Sequence, residues 1–546
     1  MRDSIAAING IGHAAVMCDP RFRQALAAHG YSLNSSGEIE QLADYVGPFS
    51  KRASQIGVNI DRFKGEWRAA HPGEAPGPAL WRAWDARAWA VERPDKITPA
   101  PGEQLHDRWR AELARLGYRD PSGPVQLTMP LPAHLDRDRA ADLVLTRLGA
   151  ARSVWNAADV RGEVEQLLAA AGLVADAAVR GELAEDLTAR ALARCVALTD
   201  GGVPEHVRAL SSRRVLDVEA DLITRLAVRG AEPVDPADLI APLIAAEGLD
   251  EGQCAAVAAL TSGAPLVVVE GAAGVGKTAM LAAARAELDA IGERLLVVTP
   301  TLKAAQAASR EIGAPAGSVA WLVYQHGWRW DEHGTWTRLG LGQADPASGV
   351  IYRGPSDRAL LSAGDTVVVD EAGMLDQDTA LALLTLADEH HARGALIGDR
   401  YQLPAIGRGG VLEHAHRFAN PAALVQLDRV HRFTRTTLTA DGATVTVPDL
   451  DYADLTLRMR AGEDPGAVLD QLSQRGQVRV HAGEAERHAA LAELVTAEHL
   501  AGQDVAVVVD TREQAAALNA AIRDRLVKAG MVDDQNTVTG RDGQRL

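Results

Sequence analysis

The sequence predicts an α/β fold with a parallel sheet, preceded by mostly α-helical regions. From residue 248 onward, short apolar runs rich in β-branched residues alternate with stretches of helical periodicity. Strands that are apolar along their whole length are typical of a parallel sheet buried on both faces, and intervening helices give βαβ units. The runs that carry this prediction are LVVVE (266–270), LLVVT (295–299), TVVVD (366–370) and ALIGD (395–399).

The residues before the predicted sheet have a different composition and periodicity. Residues 134–247 are rich in Ala, Leu and Arg and place apolar positions three and four residues apart, which predicts helices. Residues 1–118 are also helix-like, and the proline-rich residues 119–133 read as a linker. A length of 546 residues favours three or four domains over one.

A second α/β pattern lies near the end of the sequence. QVRVHA (477–482) and VAVVVD (505–510) each predict a strand, and helical patterns follow near 484–500 and near 512–529. These four elements predict the beginning of a further α/β domain within residues 434–546.

Composition limits the class of protein and its compartment. The formal net charge of −17 does not fit a simple nucleic-acid binder, although a motor can grip a strand in a local groove. Three cysteines far apart (Cys18, Cys195 and Cys254) favour neither a disulfide framework nor a zinc site, which suits the cytoplasm. Because no long apolar run or signal-peptide pattern is present, we expect a cytoplasmic location without membrane insertion.

GAAGVGKT (271–278) matches the P-loop pattern GxxxxGK[ST] in full and lies between a predicted strand and a predicted helix. Its glycines allow backbone N–H groups to point at phosphate oxygens, and the helix N-terminus adds positive charge. We expect Lys277 to reach the β- and γ-phosphates and Thr278 to ligate Mg²⁺. The flanking strand and helix disfavour a chance glycine-rich turn. The predicted nucleotide-binding residues of this loop are Gly271, Ala272, Ala273, Gly274, Val275, Gly276, Lys277 and Thr278.

Two later motifs complete a predicted site for ATP and Mg²⁺. In VVVDEA (367–372), Asp370 is expected to hold Mg²⁺ through water, and Glu371 to orient and polarise the attacking water. Such a pair is a weak signal alone, but it follows a complete P-loop by about 90 residues. In GDRYQLPAIGRGG (398–410), Gln402 could sense the γ-phosphate by hydrogen bond, and an ordinary glycine-rich turn is the alternative.

Taken in order, these motifs resemble the RecD-like class of superfamily 1 helicases, and within it the helicase half of MobF-type conjugative relaxase-helicases. The resemblance covers roughly residues 248–546 and implies movement on single-stranded DNA. It implies a first RecA-like domain at 248–433, with a small inserted subdomain near 321–360, and a second at 434–546. The motifs that carry it are Gln253, GAAGVGKT, TPTLKAA (299–305), VVVDEAGML, GDRYQLPAIGRGG and LDRVHRF (427–433).

The resemblance implies roles for residues at matching positions. Gln253, ahead of the P-loop strand, would read the adenine edge. Arg432 would reach the γ-phosphate across a domain interface, like an arginine finger. Pro300, Thr301 and Lys303 would lie along the DNA backbone, and the charge of Lys303 suits a phosphate contact. The plainer alternatives are a surface arginine for Arg432 and a solvated lysine for Lys303.

The segment HGWRWDEHGTWTRLG (326–340) reads as a β-hairpin with a DEHG turn. It lies where RecD-like enzymes insert a small subdomain. Exposed tryptophans could stack on bases, but the favoured interpretation is that Trp328, Trp330 and Trp336 form the small core of that subdomain.

The N-terminal part resembles the tail of a MobF relaxase domain and its linker, over about residues 1–118. FSKRASQI (49–56) and WDARAWAVERPDK (84–96) carry this resemblance. A relaxase needs a tyrosine nucleophile and three metal-binding histidines. The pair His414 and His416 spells His-x-His but lies inside the motor, where it reads as a helix face, so strand nicking is not predicted.

The same resemblance predicts that the second RecA-like domain is incomplete. A glycine-rich segment and a later arginine motif of the family are not found before Leu546. We therefore expect an internal piece of a longer relaxase-helicase, in which nucleotide binding is predicted more firmly than unwinding. The alternatives are a catalytically impaired nucleotide- and DNA-binding remnant, or a repair-type RecD-like motor, against which residues 1–118 argue. The expected partner is single-stranded DNA, with room for other conjugation proteins.

Overall fold

The structure is a computed structural model that describes most of the chain. The described residues are 5–34, 37–45, 110–111, 113–127, 133, 135–240, 242–313, 316–405, 407–438, 444–503 and 505–532. They belong to two units, residues 1–19 with 130–470 and residues 20–129 with 471–546. The relaxase-like segments at 49–56 and 84–96 lie outside the described residues.

Helices and strands are numbered in chain order over the described residues. The helices are α1 (Ile5–Met17), α2 (Pro20–Ala28), α3 (Arg137–Ala151), α4 (Ala157–Ala170), α5 (Ala177–Ala193), α6 (Arg213–Ala231), α7 (Pro236–Leu239), α8 (Glu251–Thr261), α9 (Lys277–Ala290), α10 (Leu302–Ile312), α11 (Val319–Gln325), α12 (Gln377–Glu389), α13 (Val411–Phe418), α14 (Leu450–Ala461), α15 (Pro465–Gln474), α16 (Glu484–Leu500) and α17 (Arg512–Lys528). The strands are β1 (Cys195–Ala197), β2 (Leu210–Ser212), β3 (Leu266–Gly271), β4 (Leu295–Thr299), β5 (Ala316–Ser318), β6 (Trp328–Trp330), β7 (Trp336–Arg338), β8 (Thr366–Asp370), β9 (Arg393–Gly398), β10 (Leu424–Leu427), β11 (Thr434–Leu438) and β12 (Thr444–Pro448). Within the described ranges, no helix is both long and apolar enough to cross a membrane.

A six-stranded parallel sheet forms the centre of the first unit. Its strand order is β10-β3-β9-β8-β4-β5, and every neighbouring pair is parallel. The four strands that the sequence predicts, β3, β4, β8 and β9, occupy its middle. The two edge strands, β5 and β10, are short and were not predicted.

Side chains of the central strands alternate between two apolar clusters, one on each face of the sheet. In β3, Leu266 and Val268 join the cluster that contains residues of α6, α12 and α13. Val267 and Val269 join the cluster that contains residues of α8 and α9. Because helices cover both faces, the central strands must be apolar throughout, and the predicted α/β class with a parallel sheet is confirmed.

Helices dominate the part of the first unit that precedes the sheet, as predicted. α1 crosses α4 so closely that a Cβ on Gly10 would lie 2.7 Å from the backbone oxygen of Gly162. One predicted helix is shorter than expected: RGELAEDLTARALARCVAL (180–198) is helical only to Ala193. The next residues form β1, which pairs with β2 in a short antiparallel ladder.

The predicted hairpin at 326–340 forms as β6 and β7, with Trp330 opposite Trp336. The rings of these two residues stack with their centroids 4.9 Å apart. Trp328 and Trp336 also pack against the cluster on the α12 side of the sheet. The geometry therefore favours the small-core interpretation of these aromatics over base stacking.

The second unit contains α16 and α17 at bounds close to those predicted, and the two helices pack on each other. The strands predicted at 477–482 and 505–510 are not formed. Val480 is 92% exposed and Val508 is 94% exposed. Strand formation depends on a paired neighbour and a covered face, and the described residues of this unit supply no partner strand. The prediction of these two strands is therefore wrong.

Candidate nucleotide-binding site

The segments that follow β3, β8 and β9 leave the same edge of the sheet. These strands end at Gly271, Asp370 and Gly398. Because the strands are parallel, their carboxyl ends lie side by side, and this is the edge at which open α/β sheets bind ligands. The fold thus brings together the P-loop, the acidic pair and the GDRYQ turn, which are far apart in the sequence.

The P-loop has a backbone that suits glycine at two positions. Gly274 has a φ of 88° and Gly276 a φ of 77°, both in the left-handed region. Side chains would also collide there, since a Cβ on Gly274 would lie 2.6 Å from the Cβ of Arg432. α9 begins at Lys277, so the N–H groups of its first turn have no partner inside the helix. Residues 271–278, here the cradle, thus have the backbone that a phosphate-binding P-loop requires.

The charged residues of the predicted site lie together at the cradle. Lys277 Nζ is 3.4 Å from Glu371 Oε1, and Asp370 Oδ1 accepts the Glu371 backbone N–H at 3.0 Å. Burial raises the pKa of Asp370, the Lys277 charge opposes that rise, and the Glu371 charge adds to it. The Thr278 hydroxyl donates to Glu311 Oε2 at 3.3 Å. A buried carboxylate that resists ionisation gains from a nearby cation.

Glu371 has an unusual backbone for a residue other than glycine. Its φ of 59° lies in the left-handed region, and a short 3₁₀ turn, Ala372–Met374, follows at once. Such conformations cost free energy and concentrate at functional positions. The turn directs the chain away from β8 immediately after the acidic pair.

Gln253 lies beneath the P-loop and is only 4% exposed. Its Nε2 donates to the Val275 oxygen at 2.9 Å, and its Oε1 accepts the Asp250 backbone N–H at 2.9 Å. A primary amide carries two Nε2 hydrogens, and within the described residues the second of them has no partner. The side chain therefore supports the loop, and its reading of adenine stays a prediction.

The segment that contains Arg432 lies against the P-loop. The backbone N–H groups of His431 and Arg432 both donate to the Gly274 oxygen, at 2.8 and 3.2 Å. The His431 ring pairs with Asp250, with Nε2 2.7 Å from Oδ2. Burial alone would raise the pKa of Asp250, but the Gln253 N–H and His431 hold it below its usual value. Sequence analysis missed this His431–Asp250 pair.

The remaining predicted site residues lie near the same edge. Gln402 is exposed, and its Nε2 lies 3.3 Å from Asp399 Oδ2. Thr301 caps α10 by accepting the Ala304 N–H, and Pro300 precedes it directly. The side chain of Lys303 lies outside the described part, so its predicted phosphate contact stays a prediction.

Sequence analysis also missed a buried charge network beside the P-loop. Glu270 and Asp399, each 3% exposed, are joined by the guanidinium of Arg460. Arg400 donates to Glu270 at 2.9 Å and to Glu413 at 2.8 Å. The signal was available, because an acidic residue at the end of an otherwise apolar strand requires a buried partner.

Among the residues that the structure describes, His414 and His416 do not come together with a third side chain that could ligate a metal. His414 and His416 lie on α13, as the helix-face interpretation predicts. His414 faces Glu219, with Nε2 3.4 Å from Oε1, whereas His416 faces Glu270, with Nδ1 3.3 Å from Oε2. The two histidines thus pair with carboxylates on different elements.

The residues at the cradle suit a nucleotide and a divalent cation. Three carboxylates (Asp370, Glu371 and Glu311), one lysine and one hydroxyl converge, so the side chains, when all are ionised, leave two negative charges in excess. Hard cations such as Mg²⁺ prefer oxygen ligands of this kind, and phosphates prefer glycine-lined N–H groups with a lysine. The donor set therefore fits both.

Comparison with known proteins separates two regions of the chain. Residues 248–483 match the profile of an AAA domain, and residues 4–116 match that of the TrwC relaxase family. Over 343 residues the chain is 25% identical to a conjugal transfer protein, TraA, from Rhizobium radiobacter. That alignment covers 61% of this chain and 26% of TraA, so the chain spans about a quarter of its curated relative.

A solved structure of two coordinating Pif1 helicases at forked double-stranded DNA is also similar to part of the chain. The similarity covers 41% of this chain and 51% of that one, at 18% identity and a TM-score of 0.26.

Proposed function

Because the chain belongs to the MobF-type relaxase-helicases, we propose that its P-loop unit is an ATP-hydrolysing motor that acts on single-stranded DNA. The observation that carries this proposal is the convergence of Lys277, Asp370 and Glu371 beside a glycine cradle. The TrwC relaxase match at residues 4–116 argues against a repair-type motor.

In this proposal each residue at the cradle has one task. Residues 271–278 surround the phosphates with N–H groups, and Lys277 neutralises their charge. Thr278 and Asp370 would hold the cation, and Glu371 would accept a proton from the attacking water. ATP and Mg²⁺, when bound, supply the phosphoanhydride and the charge that polarises it. Lys277 forms an ion pair with Glu371 in this structure. If Lys277 instead bound a phosphate of ATP, Glu371 would lose this partner and would be free to act as a base.

Residues around the cradle would link hydrolysis to DNA. We assign Gln402 the sensing of the γ-phosphate and Arg432 the stabilisation of its developing charge. The backbone of Arg432 is already fixed to the P-loop through Gly274, which supports this assignment. Pro300, Thr301 and Lys303, at the start of α10, are the proposed contacts with the DNA backbone.

A steady-state ATPase assay with and without single-stranded DNA tests the proposal. We expect DNA to raise the rate of the wild type, and Lys277→Ala to lower it at least about 100-fold, since one electrostatic contact to the transferring group is worth that much. Glu371→Gln should bind ATP but not turn it over. Lys528→Ala, at the exposed end of α17, is the matched control. Absence of ATP binding by the wild type would end the proposal.

A nucleotide-binding protein without turnover is the second candidate. The observation in its favour is that residues 477–482 and 505–510, which should begin the sheet of the second motor domain, are not strands. ATP affinity that Lys277→Ala abolishes, together with no hydrolysis on any DNA, would select this candidate over the first.

A further inference from the structure

Arg460 on α14 joins two buried carboxylates at the ends of neighbouring strands. Its Nη2 donates to Glu270 Oε1 at 2.9 Å, and its Nε donates to Asp399 Oδ1 at 2.9 Å. Strands β3 and β9 are paired, with Glu270 opposite Gly398, so the two carboxylates leave the sheet side by side. A single guanidinium therefore spans both strand ends.

Each of these carboxylates lies next to a residue of the proposed site. Glu270 directly precedes Gly271, the first residue of the P-loop. Asp399 interacts with Gln402, the proposed γ-phosphate sensor, through their side chains 3.3 Å apart. The ring of Tyr401 lies 4.4 Å from the Arg460 guanidinium, which fixes the turn between Asp399 and Gln402 more firmly.

The Arg460 network is not explained by its contribution to the stability of the fold. A buried ion pair seldom stabilises a fold more than well-packed apolar residues of similar volume would. The planar guanidinium of arginine does, however, present its N–H donors in a fixed geometry. It therefore sets the distance between the two carboxylates that it binds. Arg460 is the residue that holds both, because Arg400 donates to Glu270 and Glu413 but reaches Asp399 through no hydrogen bond in the described part.

We propose that Arg460 is a positioning residue for ATP hydrolysis, which sets the GDRYQ turn and its Gln402 against the P-loop and couples both to α14. This inference rests on the proposed function. α14 follows the Arg432 segment and the β11–β12 hairpin in the chain. In this proposal, a displacement of α14 reaches the P-loop and the GDRYQ turn through the side chain of Arg460. Arg460 itself need not contact nucleotide.

The substitution Arg460→Lys separates positioning from simple support of the fold. Lysine keeps the charge but presents a compact ammonium that cannot replace the planar fork. We expect kcat to fall about tenfold and the stimulation by single-stranded DNA to be lost, whereas KM for ATP and the affinity for a fluorescent ADP analogue stay within twofold of the wild type. A tenfold loss corresponds to about 1.4 kcal/mol in the transition state. Arg458→Lys, on the same helix and half-buried, should behave as the wild type.

A double-mutant cycle and a melting curve complete the test. Asp399→Asn should lower kcat similarly, and the double variant should be no worse than either single one, because both remove the same link. The proposal is overturned if Arg460→Lys keeps the wild-type kcat, or if kcat, ADP affinity and melting temperature all fall together. An inactive wild type would instead refute the proposed function itself.

Discussion

At the scale of single residues, the candidate site depends on glycines with left-handed backbone. Gly276 has a φ of 77°, and a Cβ there would fall on the side-chain nitrogen of Gln253. Gly292 has nearly the same φ, 78°, but a Cβ there would meet nothing within 4 Å. The two positions therefore separate backbone strain from steric exclusion.

We expect Gly292→Ala to lower the free energy of unfolding by about 1 kcal/mol, from backbone strain alone. Gly276→Ala should cost clearly more, because it also displaces Gln253 from its hydrogen bond to Val275. Urea denaturation of nucleotide-free protein measures both. If both substitutions lowered the free energy of unfolding equally, the Gln253 side chain would be able to move at no cost in free energy, and it would not support the loop.

At the scale of elements, the strands that could be predicted are those whose local sequence pattern determines their structure. β3 and β8 were predicted because each contains an uninterrupted apolar run, at 266–269 and 367–369, and the sheet buries both faces of these runs. Residues 505–510 are equally apolar, yet they form no strand, because the described chain offers them no partner. A strand forms only when it pairs with a neighbouring strand, and the sequence of one segment does not show whether that neighbour is present.

The same distinction applies within the site. The P-loop was predictable because its chemistry lies in eight consecutive residues. The Arg460 link was not, since Glu270, Asp399 and Arg460 are separated by 129 and 61 positions and meet only through the pairing of β3 with β9. An acid at the end of an apolar strand signals that a partner exists, but it does not identify that partner.

The packing of α11 against its neighbours gives a prediction about pH. His326 caps this helix and donates from Nε2 to the Ala359 oxygen at 2.8 Å, with the His390 ring 5.1 Å away. Burial lowers the pKa of His326, and the nearby charges of His390 and Arg338 lower it further. The hydrogen bond to Ala359 and the charge of Glu389 only partly oppose this.

Below a pH of about 6.5 the unfolded chain binds a proton at His326 before the folded protein does. Stability is therefore complete above that pH and falls as the pH drops towards the lower folded pKa. We expect the melting temperature of His326→Gln to decline less between pH 7.5 and pH 5.5 than that of the wild type. His206→Gln, at an exposed position, should leave the slope unchanged. Parallel curves for all three proteins would contradict the assignment.

At the scale of the whole molecule, α6 joins the helical region to the amino-terminal edge of the sheet. Arg229 is 7% exposed and donates to Asp388, to the Pro265 oxygen at 2.9 Å and to the Ala392 oxygen at 3.2 Å. Pro265 and Ala392 precede β3 and β9. One arginine thus fixes the start of both strands whose opposite ends carry the candidate site.

We expect Arg229→Met to lower the free energy of unfolding by about 2 kcal/mol, since it removes the buried hydrogen bonds of Arg229 to Asp388, Pro265 and Ala392. The Pro265 oxygen keeps the Gly394 N–H and Asp388 keeps Arg225, so the loss is one of bonds and not of every donor. Arg213→Met, on the same helix with an 81% exposed side chain paired to Asp217, should change it by less than about 1 kcal/mol. Guanidinium denaturation followed by circular dichroism compares the two. A loss at Arg213 as large as that at Arg229 would show that α6 is held by its amino-terminal end instead.

The hydrogen bonds from His431 and Arg432 to Gly274 have a consequence for how the protein is made. They close a loop of roughly 160 residues, so the P-loop emerges from the ribosome long before the segment that holds it. β10, which lies beside β3 and leads into that segment, is also synthesised late. During translation at about 5–20 residues per second, the cradle stays unsupported for some 10–30 s, an interval in which chaperones or proteases have access to it.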